Sequence, residues 1–272
     1  MTRLRTERLR MHQQAKMINI FDPNAKFAIT TKYTTILASG PNGIKGWDIL
    51  EKIPREDNTI IAVNFALVYG WRFNRPYIVP DFSGITDKRA LMQEAVLGEG
   101  AWFPAALTQF QGKLLFNTAV VMECYNKYKY PGPYYFFKSK GLMNSETVKL
   151  SSDMVHTGGS VTCSMAQIWG NFIKYRGPGE PILLINGADM SGDEYAVGKN
   201  SSKAHGQTWN SVVVLGKMCQ LLNKRKGKVY ATSITKLHDA GYIDYYPGVI
   251  IDARPIESGI FDDVLQSCSI LS

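Results

Sequence analysis

Much that would classify this 272-residue chain at once is missing from it. No apolar run reaches the roughly 18 residues that a membrane-spanning helix needs. The first ten residues are basic and lack the apolar core of a secretory signal. Together these absences lead to the expectation of a soluble, cytoplasmic protein. Cysteine is scarce: Cys124, Cys163, Cys219 and Cys268 stand far apart, with no CxxC spacing. Neither a zinc site nor a disulfide framework can be read from them, and reduced core thiols are expected. There is no internal repeat and no linker. Two phosphate motifs are also missing, since the chain has neither Gly-x-Gly-x-x-Gly nor Gly-Lys-Ser/Thr.

Apolar residues, by contrast, are plentiful. They make up 45% of the chain against 20% charged residues, enough for a real core and against disorder. The net charge of +8 favours anionic partners. Two clusters carry much of it: Arg3, Arg5, Arg8 and Arg10 at the start, and Lys224, Arg225, Lys226 and Lys228 late in the chain. Neither is interleaved with the aromatic residues of a single-strand binding platform.

Apolar runs alternate with helical patterns. Strands are expected at 27–37, at Ile60–Val63, in Tyr77–Phe82, in Lys113–Val121, in Pro181–Gly187 and in Lys228–Ser233. Helices are expected near 1–18, in a short segment holding Trp47, Ile49 and Leu50, around Leu91, Met92, Ala95 and Val96, over Cys163–Ile173 and in Gln207–Gly227. This alternation predicts an α/β fold: a Rossmann-like, mainly parallel sheet with helices on both faces. The domain expectation is a basic helical extension over 1–26 and one nucleotide-binding domain over 27–272. An aromatic loop around Pro131-Gly132-Pro133, near 125–140, is expected to interrupt it, because Pro-Gly-Pro continues neither a helix nor a central strand.

Five constellations fall where such a fold binds ligands, beyond the carboxyl ends of its strands. Ser39-Gly40-Pro41-Asn42 follows a strand and opens a helix, a place where backbone can approach a phosphate. Asn64 closes an apolar strand with an amide that both donates and accepts; it could equally cap the next helix. Gly158-Gly159-Ser160 precedes another helix. Gly187 and Asp189 follow the run Ile182–Asn186, with Asp189 suited to a ribose hydroxyl or a metal ion. Asp193, Glu194 and Tyr195 stand close behind. His205 lies in a polar loop before a helix and suits general acid–base work near neutral pH. His156, beside the Gly-Gly turn, is its rival, and spacing does not choose between them.

In this order the motifs resemble the family-42 bacterial sialyltransferases and the related 6-hydroxymethylpterin pyrophosphokinase-like and motility accessory proteins. The resemblance rests on Ala38–Gly43, Val63-Asn64, Gly158–Ser160, Gly187–Asp189 and Ala204-His205, with Lys228–Leu237 following. Positions 42 and 43 are Asn-Gly where that pattern has Ser-Leu. The resemblance implies a glycosyltransferase that moves a sugar from a nucleotide-sugar donor, a CMP-sugar, to an acceptor hydroxyl. It implies His205 as general base. It implies Ser39, Gly40, Pro41, Asn42, Asn64, Gly158, Gly159, Ser160, Gly187, Asp189 and Tyr195 as nucleotide contacts, with Tyr195 on the phosphate. No cofactor or metal is required on that reading. Two alternatives stand beside it. One is a pyrophosphokinase using ATP and magnesium, with Asp189 and Asp193 on the metal and a pterin-like alcohol as acceptor. The other is a non-enzymatic nucleotide- or nucleic-acid-binding module using the basic clusters. The expected partners are the nucleotide-sugar, a glycan, protein or other hydroxyl acceptor, and a second copy of the chain.

Overall fold

The computed structural model describes residues 17–86, 106, 110–123, 133–143, 146–157, 160–190 and 209–249. Nine strands form one all-parallel sheet: β1 Met17–Asn19, β2 Tyr33–Leu37, β3 Asn58–Val63, β4 Phe82–Ile85, β5 Lys113–Asn117, β6 Tyr134–Phe137, β9 Ile182–Asn186, β10 Lys228–Ala231 and β11 Asp244–Tyr245. Their spatial order is β1-β6-β5-β4-β3-β2-β9-β10-β11. Between β6 and β9 in the chain, β7 Ser139–Leu142 and β8 Val155–Thr157 pair as a separate two-stranded sheet. The helices are α1 Trp47–Glu51, α2 Tyr69–Arg72, α3 Thr118–Glu123, α4 Val161–Phe172, α5 Trp209–Arg225 and α6 Lys236–Asp239.

The strands read as continuous apolar runs because both faces of the sheet are covered. Side chains alternate between the faces. Ile36, Ile61, Val63, Leu115, Leu183 and Ile185 join one core with Met165 and Trp169 of α4 and Leu215 and Met218 of α5. Leu37, Ile60, Ala62, Leu114, Phe116 and Leu184 join a second core with Trp47, Leu50 and Tyr69 from the opposite layer. At about 25 cal/mol per Å² of apolar area, burial on both faces is the main stabilising term.

The α/β fold with its parallel sheet agrees with the sequence reading, and four local expectations need correction. Met17–Asn19, placed in a helical extension, is the edge strand β1 and pairs with Tyr134–Phe136, so the sheet begins before residue 27; residues 1–16 lie outside the described residues. Residues 27–30 are not a strand; Ile29 makes a single bridge to Ile173. The strand expected in Tyr77–Phe82 is a 3-10 turn at Pro76–Ile78, and β4 begins only at Phe82. Pro76 and Pro80 cannot donate to a central ladder, which delays pairing until both are passed. In the aromatic segment expected as a loop, Tyr134–Phe137 is β6, hydrogen-bonded between β1 and β5. Aromatic side chains suit a half-buried pleated surface, and Tyr134 and Phe137 are fully buried. Residues 124–132, with Pro131 and Gly132, and the helix expected around Leu91–Val96 lie outside the described residues. Cys163 and Cys219 are buried free thiols, and burial pushes the Cys163 thiol up to about 12, as core residues require.

Candidate functional site

The order of strands reverses direction between β2 and β9. From β2 the chain proceeds outward through β3, β4 and β5. From β9 it proceeds outward the other way through β10 and β11. A crevice opens beyond the carboxyl ends of two strands whose connections depart on opposite sides. Two of the five constellations meet there: Ser39–Asn42 after β2, and Gly187–Asp189 after β9.

They are bonded to one another. The Gly40 backbone N–H donates to the Gly187 carbonyl at 2.8 Å, and Ala38 N–H to the Asn186 carbonyl at 2.8 Å. The Asn42 backbone N–H donates to Asp189 Oδ2 at 2.8 Å. A Cβ on Gly40 would lie 2.4 Å from the Gly187 oxygen and 2.6 Å from Asp189 Cγ. Gly187 has φ +69°, a conformation that costs glycine little and other residues more. The glycines therefore serve a contact within the protein. The 3-10 turn Pro41–Gly46, with Pro41 in its first position, receives Asp189 where a phosphate was expected. A carboxylate of the chain itself occupies the donor at Asn42.

Asp189 is the most chemically distinctive group of the crevice. It is 5% exposed. Its Oδ1 is buried and has no partner. Burial pushes its pKa up to about 7, against a smaller lowering by the Asn42 bonds. A carboxyl group poised near neutrality can donate through Oδ1 when protonated and accept when ionised. Met190, the next residue, sits at φ +58°, so the turn carrying Asp189 is held in an unusual conformation.

Asn64 flanks the same crevice from β3. Its φ of +50° is one that asparagine tolerates better than most residues. Val63 stands at the cap position of the 3-10 turn Asn64–Val68 and Val68 at that of α2, so Asn64 does not act as the helix cap that its sequence allowed. Its Oδ1 is buried and unpartnered. Ser39 ties this strand to the crevice: its Oγ donates to the Val63 carbonyl at 3.0 Å, while Tyr69 OH donates to the Ser39 carbonyl at 3.1 Å.

Ser160 comes to the same edge through α4. The far end of α4 joins Ile29, ahead of β2, where Lys174 N–H donates to Ile29 O at 2.8 Å. Helix α4 therefore runs from the carboxyl edge to the amino edge and begins at the carboxyl edge. Ser160 caps it, its Oγ accepting from Cys163 N–H at 3.1 Å. Gly158 and Gly159 lie outside the described residues, as do Asp193, Glu194, Tyr195 and His205. The rival histidine is described. His156 on β8 has Nδ1 3.2 Å from the Lys140 carbonyl. A carbonyl only accepts, so Nδ1 carries the proton. The other nitrogen, Nε2, is buried without a partner.

Sequence reasoning missed Asn186. Its Nδ2 donates to the Gly43 carbonyl and to Thr232 Oγ1, both at 2.9 Å. Ser233 Oγ accepts from Gly187 N–H at 2.9 Å, and Thr235 Oγ1 donates to the Ala188 carbonyl at 2.6 Å. The loop after β10 thus braces the loop that carries Asp189. Asn186 closes an apolar strand just as Asn64 does, and the same signal would have found it. Among the described residues no three His, Cys, Asp or Glu side chains converge as a metal cluster, and no helix is long and apolar enough to cross a membrane.

No protein-family model matches the chain, and no curated protein matches it significantly. Among solved structures, it is similar to the sialyltransferase CstII from Campylobacter jejuni in complex with a substrate analogue, CMP-3FNeuAc, at 12% identity and a TM-score of 0.43, over 82% of this chain and 89% of that one. At this identity and degree of superposition the likeness assigns no residue.

Proposed function

We propose that the chain is a glycosyltransferase that holds a cytidine nucleotide-sugar in the crevice between β2 and β9. The observation that carries the reading is the buried, half-satisfied carboxyl of Asp189 at the point where the sheet changes direction. A free Oδ1 beside a glycine turn suits a ribose hydroxyl, and the unpartnered Oδ1 of Asn64 suits a donor on the same ligand. The ordered motifs of the sequence support the sugar-transferase reading of that site. In the reaction the acceptor oxygen attacks the anomeric carbon. The bond from that carbon to phosphate breaks, the nucleoside monophosphate leaves with the electron pair, and the acceptor proton passes to His205. Tyr195 holds the departing phosphate, and Gly158, Gly159 and Ser160 offer it the start of α4.

The test is thermal unfolding of the full chain with cytidine, uridine, guanosine and adenosine nucleotides, each with magnesium and with EDTA. A ligand at about 100 times its dissociation constant adds about 2.7 kcal/mol. Stabilisation by CMP in EDTA is expected. Stabilisation by ATP with magnesium alone would replace the proposal with pyrophosphoryl transfer. In the His205→Ala variant CMP affinity is expected to persist while turnover falls about 10²- to 10⁴-fold; turnover at the wild-type rate would remove the base assignment.

A further inference from the structure

A second opening lies on the same edge of the sheet, away from β2 and β9. Asn117 at the end of β5, Thr118 at the start of α3, Lys138, Ser139 and Lys140 after β6, and Met154 before β8 enclose about 390 Å³. That volume is within the range of small-ligand sites. Strand β5 is three places from β2, roughly 14 Å at the usual strand spacing. The opening and the crevice share one edge and face the same side of the sheet's ends.

Its walls are fixed by the fold. The Val155 backbone N–H donates to the Lys138 carbonyl at 2.9 Å. His156 Nδ1 donates to the Lys140 carbonyl at 3.2 Å. Both lysines thus leave from backbone pinned by β8. Asn117 is held at both ends of its amide: its Oδ1 accepts from Val120 N–H at 2.9 Å, and its Nδ2 donates to the Thr86 carbonyl. Thr118 Oγ1 lies 3.4 Å from the Phe137 carbonyl. The charged groups among its described lining residues are the two lysine ammonium groups. Among the described residues no acidic side chain lines the opening, and neither lysine forms an ion pair. Along the chain, Met154 precedes β8, and Ser160 caps α4.

We propose that this opening is the acceptor site and that Lys138 and Lys140 select an acceptor bearing an anionic group, a carboxylate or a phosphate. The assignment rests on the glycosyltransferase reading, and its test uses binding, so it does not depend on turnover. Methyl glucuronide, glucose 6-phosphate and methyl glucoside would be titrated calorimetrically into the full chain at low ionic strength. The same titrations would be made with the Lys138→Ala/Lys140→Ala and Lys138→Arg/Lys140→Arg double variants. CMP would be titrated into all three proteins as the separate readout of the crevice.

The expected result is that one or both acidic sugars bind more tightly than the neutral one. The alanine variant loses about tenfold of that affinity, since each exposed charge contact contributes only a few-fold. The arginine variant keeps it, and CMP affinity is unchanged in both. Preference for the glucuronide names a carboxylate acceptor, and preference for the phosphate names a phosphorylated one. Equal binding of acidic and neutral sugars, or full affinity in the alanine variant, would overturn the assignment. Parallel loss of CMP affinity would also overturn it, by assigning the lysines to the donor. If acidic sugars bind as expected and CMP does not bind at all, the donor reading fails and the anion site stands.

Discussion

Asp189 makes stability depend on pH in a direction opposite to an ordinary surface aspartate. Its carboxyl ionises near 3.8 when exposed and at about 7 in the folded chain. The folded state therefore holds the proton more tightly than the unfolded one. That contribution is complete below about pH 4 and is lost as pH rises through 7. A shift of about three pH units corresponds to an upper bound of about 4 kcal/mol. Asp189→Asn keeps an oxygen for the Asn42 N–H and has no proton to lose. Melting temperatures of the variant measured from pH 5 to pH 8 are expected to be nearly flat, while those of the wild type fall. Parallel profiles would show that Asp189 is charged throughout. Gly187 belongs to the same scale. Gly187→Ala would force a Cβ to 2.5 Å from the Ala38 oxygen at φ +69°. A cost of about 2 kcal/mol or more is expected in chemical unfolding, from steric overlap and left-handed strain together.

Between elements, Gln167 on α4 does what a neighbouring strand would do for β8. Its Oε1 accepts from the His156 backbone N–H at 2.9 Å, and its Nε2 donates to the His156 carbonyl at 2.6 Å. The side chain is fully buried. Gln167→Leu keeps the bulk and leaves two backbone groups without partners, each costing about 1–3 kcal/mol. A loss of about 2 kcal/mol or more is expected, with β8 amides exchanging faster than those of β9; an unchanged melting temperature would mean that water replaces the amide. Such pairings are invisible in sequence, because a glutamine at residue 167 looks like any polar interruption of a helix. The strands β2, β3, β5, β9 and β10 were legible because each is an apolar run bounded by turn residues. Helix α4 was legible from the serine and glycines before it. Strands β1, β4 and β6 were not. They owe their pairing to neighbours distant in sequence, and prolines and clustered aromatics hid them.

Across the whole molecule the sheet divides the core in two, and this division was readable from the sequence as a rule: continuous apolar runs need cover on both faces. The crevice was half readable. Strand ends and glycines located the Gly40 and Asp189 segments separately. Their mutual bond was not readable, because it joins residues 147 apart in sequence through the strand order. The same order predicts how the molecule opens. Strands β2, β3 and β9 have hydrogen-bonded neighbours on both sides and core on both faces, whereas β1 and β11 are edges of three and two residues. Local opening of an edge breaks few contacts and needs only a small part of the global unfolding free energy. Opening of β2 or β9 severs the sheet at its switch point and exposes both cores. Native-state hydrogen exchange is therefore expected to show β2, β3 and β9 amides exchanging only through global unfolding, with β1 and β11 exchanging well before them. On the proposed function, a cytidine nucleotide bound in the crevice would bridge two segments that belong to opposite halves of the sheet. It is expected to slow exchange at Ala38–Asn42 and Gly187–Met190 together, and by the same factor, because neither segment can open without releasing the ligand. Protection of only one of the two segments would show that the nucleotide sits on one half of the sheet and does not span the crevice.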